Sequence, residues 1–312
     1  MPLLPFDLPA GLASQASLGS SWADWLDRLP RRVCDLAAEW ELRFDGAPMH
    51  GYGSLVVPVV EADGRCSVLK ASYDGDEEGL HEALGLQLWD GDGAVRMFRA
   101  DPRRRALLLE RLDAGRDLDA LPVLEACAVV AGFYPRLHRP ALPQLQRLSG
   151  FVDRWTMRLA ALPVAAPVPR RLVEQAVALG RDFVTDTDTD AVVIHGDLHY
   201  QNVLAAEREP WLVIDPKPVA GDPHYEVAPM LWNRWEEAVA CGDVRTAVRR
   251  RFHTIVDAAG LDEDRARDWV IVRELHNILW TIEDAERVSR PLDGEDRASI
   301  TVAVTIAKAV QE

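Results

Sequence analysis

A chain of 312 residues, 48% hydrophobic and 27% charged, has the composition of a globular protein with one large domain or two lobes. Its net charge of −15 argues against nucleic acid, whose phosphates it would repel, and suits a cationic small molecule instead. No apolar run escapes charge for the roughly 18 residues of a membrane span, the N-terminus lacks a signal-peptide pattern, and Cys34, Cys66, Cys127 and Cys241 have no CxxC spacing, so a cytoplasmic protein with free thiols is expected.

Trp22, Trp25, Leu26, Leu29, Val33, Leu36, Ala37 and Trp40 recur at helical spacing and predict a helix over 22–41. SLVVPVV and RCSVLKA, joined through an Asp-Gly turn at 63–64, read as a hairpin ending near Lys70. The acidic stretch that follows becomes a helix with Leu80, Leu84 and Leu88 as its stripe, and AVRMFRAD and RRALLLERL supply two more strands. Beyond Asp113 the pattern is mainly helical, with VVIHGD and PWLVID as short strands and a long helix striped by Val272, Leu275, Leu279 and Ile282. The expected fold is α+β in two lobes: an antiparallel sheet with helices over 1–112, and a mainly helical lobe over 113–312.

The densest polar cluster is VVIHGDLHYQNVL, residues 192–204. Its H-x-D-x-x-x-x-N spacing is that of the catalytic loop of protein kinases and their small-molecule relatives. Phosphoryl transfer needs a carboxylate to take the proton of the attacking hydroxyl, here Asp197. It also needs oxygen ligands for magnesium, here Asn202 and, at the end of the second strand, Asp215. A zinc site on His195 and His199 and a purely structural polar turn are the alternatives. The zinc reading is weakened because two histidines four apart share a face only on a helix, and Gly196 interrupts one.

The upstream lobe is expected to hold the nucleotide. Lysines are few, only Lys70, Lys217 and Lys308, so a lysine at a strand end stands out. Lys70 would grip phosphates while a helix acid, Glu82 in preference to Glu78, holds it. Gly51, Gly53 and Ser54 form a loop able to cover phosphates, although the third glycine of G-x-G-x-x-G is Val56 and no P-loop motif occurs. Glu110 and Leu112, in LLERL, sit where a hinge would meet the base of ATP or GTP. His199 and Tyr200 would line the substrate side of the catalytic loop.

These pieces together resemble the aminoglycoside phosphotransferases, and within them the streptomycin 6-kinase and hydroxyurea resistance kinase branch. The resemblance runs from W-E-L near Trp40 to the final helices and is most specific in HGDLHYQNVLAAEREPWLVIDPKPVAGDP, with WDGDGAVRM and LLLERLD in support. It implies a protein-kinase-like bilobal fold, ATP or GTP with Mg2+, and phosphorylation of an antibiotic hydroxyl. It carries over Asp197 as base, Asn202 and Asp215 as metal ligands, and Lys70 as phosphate ligand. Gly196 replaces the arginine of H-R-D, so control through a phosphorylated activation loop is not expected, and Lys217 either adds charge at the phosphates or projects to solvent. Asp222, Glu226, Trp232, Glu236, Trp280, Glu283 and Asp284 lie on helices expected to flank the acceptor, where acids and tryptophans suit a guanidinium-bearing sugar; Asp222, before Pro223, also reads as a helix cap. A kinase of hydroxyurea, another antibiotic or an amino sugar, and a non-catalytic nucleotide-binding regulator, remain as alternatives. A monomer is expected, with a dimer left open.

Overall fold

In the computed structural model, which describes residues 4–311, strands Ser54–Val60 and Cys66–Ser72 pair antiparallel around the Asp-Gly turn, with Val56 opposite Lys70. The sheet runs in the order Arg43–Phe44, Ser54–Val60, Cys66–Ser72, Ala106–Glu110, Met97–Asp101, and Met49–His50 also pairs with Ser54–Val60. Alternation along Ser54–Val60 buries Leu55, Val57 and Val59. They share a core with Trp25, Leu29, Val33 and Leu36 of helix Ser20–Glu39. Each such side chain contributes about 1.5–3 kcal/mol by leaving water.

The segment after this hairpin departs from its predicted stripe. It opens as a 3-10 turn, Glu78–His81, and becomes an α-helix only over Glu82–Trp89. The buried positions are Glu82, Gly85, Leu86 and Trp89, while Leu80 is exposed. The tighter first turn shifts the register, and the face turned inward is the one that carries the partner of Lys70.

The chain forms two compact units, the first comprising residues up to Gly115 together with Ala205–Lys217, the second Arg116–Leu204 together with Pro218 onward. The second unit is built on helices Val123–Leu137, Leu148–Ala160, Arg170–Thr185, Val244–Ala259, Glu263–Arg287 and Gly294–Ala309. Helix Glu263–Arg287 starts where the Asp262 side chain accepts from the Arg265 amide. It buries Val272, Leu275, Leu279 and Ile282 as the stripe requires. Trp269 of this helix stacks on Phe183 at 3.9 Å. A two-stranded ribbon, Val192–Ile194 against Val219–Gly221, sets the loop that begins at His195. Among the described residues the four cysteines are free, and no helix is long and apolar enough to cross a membrane.

Candidate active site

In the first unit Lys70 is almost wholly enclosed, and its Nζ donates to Glu82 Oε1 at 2.6 Å and to Asp215 Oδ1 at 2.5 Å. Glu82 is thus the helix acid paired with Lys70. Burial alone would lower the affinity of Lys70 for its proton, but the carboxylates of Asp215 and Glu82 outweigh it and hold the ammonium above its ordinary range. Burial likewise opposes the charge on Asp215, and Lys70 and Lys217 outweigh it, keeping the carboxyl well below the usual range. Lys217 lies 3.3 Å from Asp215 Oδ1 and 3.7 Å from Asp76 Oδ2, so it belongs to this charge cluster rather than to open solvent. Asp215 adopts a left-handed backbone (φ 53°), which aspartate tolerates better than most residues.

The glycine-flanked loop precedes the first hairpin strand. Gly51 N–H donates to Ser54 O at 3.0 Å, Gly53 O accepts from Tyr73 N–H at 2.7 Å, and Ser54 is buried at the strand start. At the expected hinge, Glu110 is engaged through both its amide and its carboxylate. Its amide donates to Arg96 O at 2.8 Å, and its carboxylate is held by Arg208 Nε at 2.9 Å and by the Arg96 amide at 3.0 Å. Leu112 follows the strand, half-buried.

In the second unit the catalytic-loop candidates stand together. His195 is fully buried and its Nδ1 accepts from the Asp197 amide at 3.3 Å, a scaffolding position. Gly196 takes a φ of 84°, a region closed to most side chains, which turns the chain so that Asp197 is left partly exposed. Asn202 Nδ2 donates to Asp197 O at 2.8 Å and lies 3.2 Å from His199 Nε2. Its Oδ1 is then the atom suited to a hard cation. An amide oxygen is a hard donor of the kind magnesium takes, and in the first unit the Asp215 carboxylate is another. No cluster of three or more histidine, cysteine or acidic ligands occurs among the described residues, and His199 instead borders Asn202 and Asp197 (3.9 Å).

Several residues expected to meet the substrate prove to be structural. Tyr200 is buried, with its hydroxyl donating to Met230 O at 3.2 Å. Asp222 caps the turn Pro223–Val227 and accepts from Trp269 Nε1 at 2.7 Å and Arg265 Nε at 2.6 Å. Glu226 is enclosed, accepting from the Gly196 amide at 2.8 Å through Oε1 and meeting His138 Nε2 at 2.6 Å through Oε2. It braces the loop that carries Asp197. Trp232 and Trp280, half-buried, already face a guanidinium of this chain: Arg273 lies 5.7 and 5.5 Å from their rings and 4.3 Å from that of Tyr225. Glu283 pairs with Arg158 and Asp284 with Arg287, and Glu236 is exposed. Of this set, Glu236 and Asp284 are exposed, while Glu283 is half-buried against Arg158. The His138–Glu226 strut and the approach of Arg273 to Tyr225 and Trp232 carry no signal in the sequence, because those partners lie far apart along it, whereas Trp280 stands only two turns on from Arg273 in the same helix.

Residues 39–285 match the sequence pattern of the aminoglycoside/hydroxyurea antibiotic resistance kinases. The chain is 39% identical over 313 residues to the streptomycin 6-kinase of Streptomyces glaucescens, covering 98% of this chain and 97% of that one. It is 40% identical over 276 residues to the hydroxyurea phosphotransferase of Kitasatospora aureofaciens, covering 86% and 77% respectively. Among solved structures, the choline kinase LicA of Streptococcus pneumoniae superposes with a TM-score of 0.59 at 12% identity, over 89% of this chain and 98% of that one. Aminoglycoside phosphotransferase APH(4)-Ia, in a ternary complex with ADP and hygromycin B, does so at 0.57 and 16%, over 88% and 97%. These likenesses establish the protein-kinase-like fold. The chain belongs to the aminoglycoside/hydroxyurea antibiotic resistance kinase family and is a small-molecule phosphotransferase.

Proposed function

We propose that this enzyme transfers the γ-phosphoryl group of ATP or GTP to a hydroxyl of a streptomycin-type aminoglycoside, at the position that names the 6-kinases. The observation that carries the reading is near full-length similarity to streptomycin 6-kinases, together with an enclosed Lys70–Glu82–Asp215 cluster and an intact Asp197–Asn202 loop. Lys70 would hold the α- and β-phosphates, and the loop 51–54 would cover them with backbone amides. Asp197, partly exposed on its loop, would accept the hydroxyl proton as the acceptor oxygen bonds to the γ-phosphorus and the bond to the β–γ bridging oxygen breaks. Magnesium, held by Asn202 Oδ1 and the Asp215 carboxylate, would supply neutralisation of phosphate charge. Catalysis then rests on positioning and electrostatics. The exposed acids Glu236 and Asp284 and the net charge of −15 favour a polycationic acceptor.

The similarity to a hydroxyurea phosphotransferase supports a second acceptor, hydroxyurea. Purified protein incubated with nucleotide, magnesium and either compound, followed by mass spectrometry for an added phosphoryl group, decides between them. Modified streptomycin is the expected result. An unmodified drug beside phosphorylated hydroxyurea would overturn the acceptor assignment and leave the kinase chemistry standing.

A further inference from the structure

Helix Ser20–Glu39 lies almost entirely ahead of the span 39–285 that carries the family pattern, yet its first turn rests on the glycine-flanked loop. Trp22 stacks on Tyr73 with ring centroids 3.9 Å apart and planes 14° from parallel. It also meets Tyr52, at the apex of the loop, edge-on at 5.8 Å. A Cβ placed on Gly53 would sit at ordinary contact distance, 3.4 Å from the Trp22 ring and 3.6 Å from Tyr73 Cβ, so both residues border the loop at Gly53. Tyr73 adds two hydrogen bonds: its amide donates to Gly53 O at 2.7 Å, and its hydroxyl donates to Ser21 Oγ at 2.7 Å. The short helix Ala10–Ser14 supports the other end. Gly11 approaches the His50 ring so closely that a Cβ would fall 2.6 Å from Nε2, and His50 Nδ1 is 3.0 Å from Gly51 O.

A loop with two glycines spread over three residues is mobile unless something fixes it, and fixing it before a ligand arrives removes the ordering cost from binding. Here the fixing groups come from outside the loop. We propose that Trp22, with Tyr73 as its stacking partner, is a positioning residue for nucleotide binding: the N-terminal helix holds residues 51–54 in the conformation that covers the triphosphate. This rests on the phosphate-covering role assigned above to that loop.

The test uses the full-length enzyme with Trp22→Ala and Trp22→Phe. Trp22→Ala should raise the KM for nucleotide and the Kd for ADP by roughly two- to tenfold, the factor to which an aromatic stacking free energy converts. The KM for the acceptor should stay the same. Trp22→Phe, which keeps a ring on Tyr73, should restore most of the nucleotide affinity. A change in tryptophan emission on ADP titration should be seen in the wild type and diminish in Trp22→Phe. Equal shifts in both KM values, or a lowered melting temperature with both KM values intact, would overturn the proposal. Should Trp22→Ala not fold, Tyr73→Phe decides: it keeps the stack, loses the Ser21 tether, and should raise only the nucleotide KM, and no change there overturns the idea. A wild-type enzyme that binds no nucleotide would overturn the parent reading, and a bound nucleotide with unaltered Trp22→Ala kinetics only this one.

Discussion

Replacing Lys70 by methionine keeps the length of the side chain and removes its charge, which exposes how much the first unit depends on that charge. Glu82 is as deeply enclosed as Lys70, and the two meet at 2.6 Å. Without Lys70 the Glu82 carboxylate is a buried charge with its main partner gone, a loss of about 3–5 kcal/mol. Asp215 suffers less, because Lys217 stays 3.3 Å away. Lys70→Met combined with Glu82→Gln removes both charges, and neutral replacement of a whole buried pair leaves stability within about 1–2 kcal/mol of the starting protein. Urea unfolding followed by circular dichroism gives the stabilities, and ADP calorimetry gives the binding. The single variant should be the least stable and the double variant close to wild type, with both lacking phosphate transfer. The gap between wild type and Lys70→Met should also widen as pH rises, because burial already holds the Glu82 carboxyl above its ordinary value and loss of Lys70 raises it further, so the variant relieves its unpaired charge only by keeping a proton there. Asp215, depressed in the fold, contributes above the ordinary carboxylate pKa of about 3.9 and loses that contribution as pH falls through its lower folded value. Lys70, raised in the fold, contributes below its ordinary value of about 10.4 and loses that contribution only as pH climbs beyond it. A Lys70→Met protein as stable as wild type, or a double variant no better than the single, would refute the reasoning.

Asp197→Asn should lower turnover by about 10²–10⁴-fold, the usual worth of a positioned base, while ADP affinity measured by calorimetry holds; wild-type turnover in that variant removes Asp197 from the mechanism. Glu226→Ala would strand the Gly196 amide and His138 in the interior at about 1–3 kcal/mol each, so steady-state kinetics should show kcat falling more than nucleotide KM rises. Glu226→Gln keeps an acceptor for Gly196 and should recover most of the loss, and an unchanged kcat in Glu226→Ala would show that the strut does not position the loop. Burial pushes Glu274 up to about 8, so its contribution to stability is full below the unfolded value of about 4.3 and disappears as pH rises through about 8. Glu274→Gln should flatten that slope in melting temperatures taken from pH 5 to 9, with a gain on the order of a few kcal/mol at the alkaline end. Parallel profiles would contradict it.

The site was most legible where chemistry is local in sequence. Asp197, Asn202 and the strand before them lie within a dozen residues, and the hairpin carrying Lys70 shows through alternation and an Asp-Gly turn. The pairing of Lys70 with Glu82 followed from one helix placed after one strand. What stayed hidden depends on distant partners. Glu226 looked like an acid for a cationic drug, and Asp222 read both that way and as a helix cap, but His138 and Gly196 enclose the first while Trp269 and Arg265 hold the second. Trp232 and Trp280 looked like a cage for a foreign guanidinium, yet Arg273 already faces them; its seven-residue spacing to Trp280 was readable in the sequence, its approach to Trp232 was not. The stripe at Leu80, Leu84 and Leu88 slipped because a 3-10 turn advances by a different angle per residue than an α-helix. The return of Ala205–Lys217 to the first unit is likewise something no single cut along the chain expresses.

The ion pair between Lys70 and Asp215 has a consequence for selectivity in a crowded solution of anions. An ammonium already satisfied at 2.5 Å and 2.6 Å by two carboxylates presents little unspent attraction to a passing phosphate, sulfate or carboxylate. Such an ion would have to displace a partner it cannot replace in number or geometry. If Lys70 holds phosphates as proposed, it would be released only to a ligand that brings enough contacts of its own, and small anions would compete poorly for it.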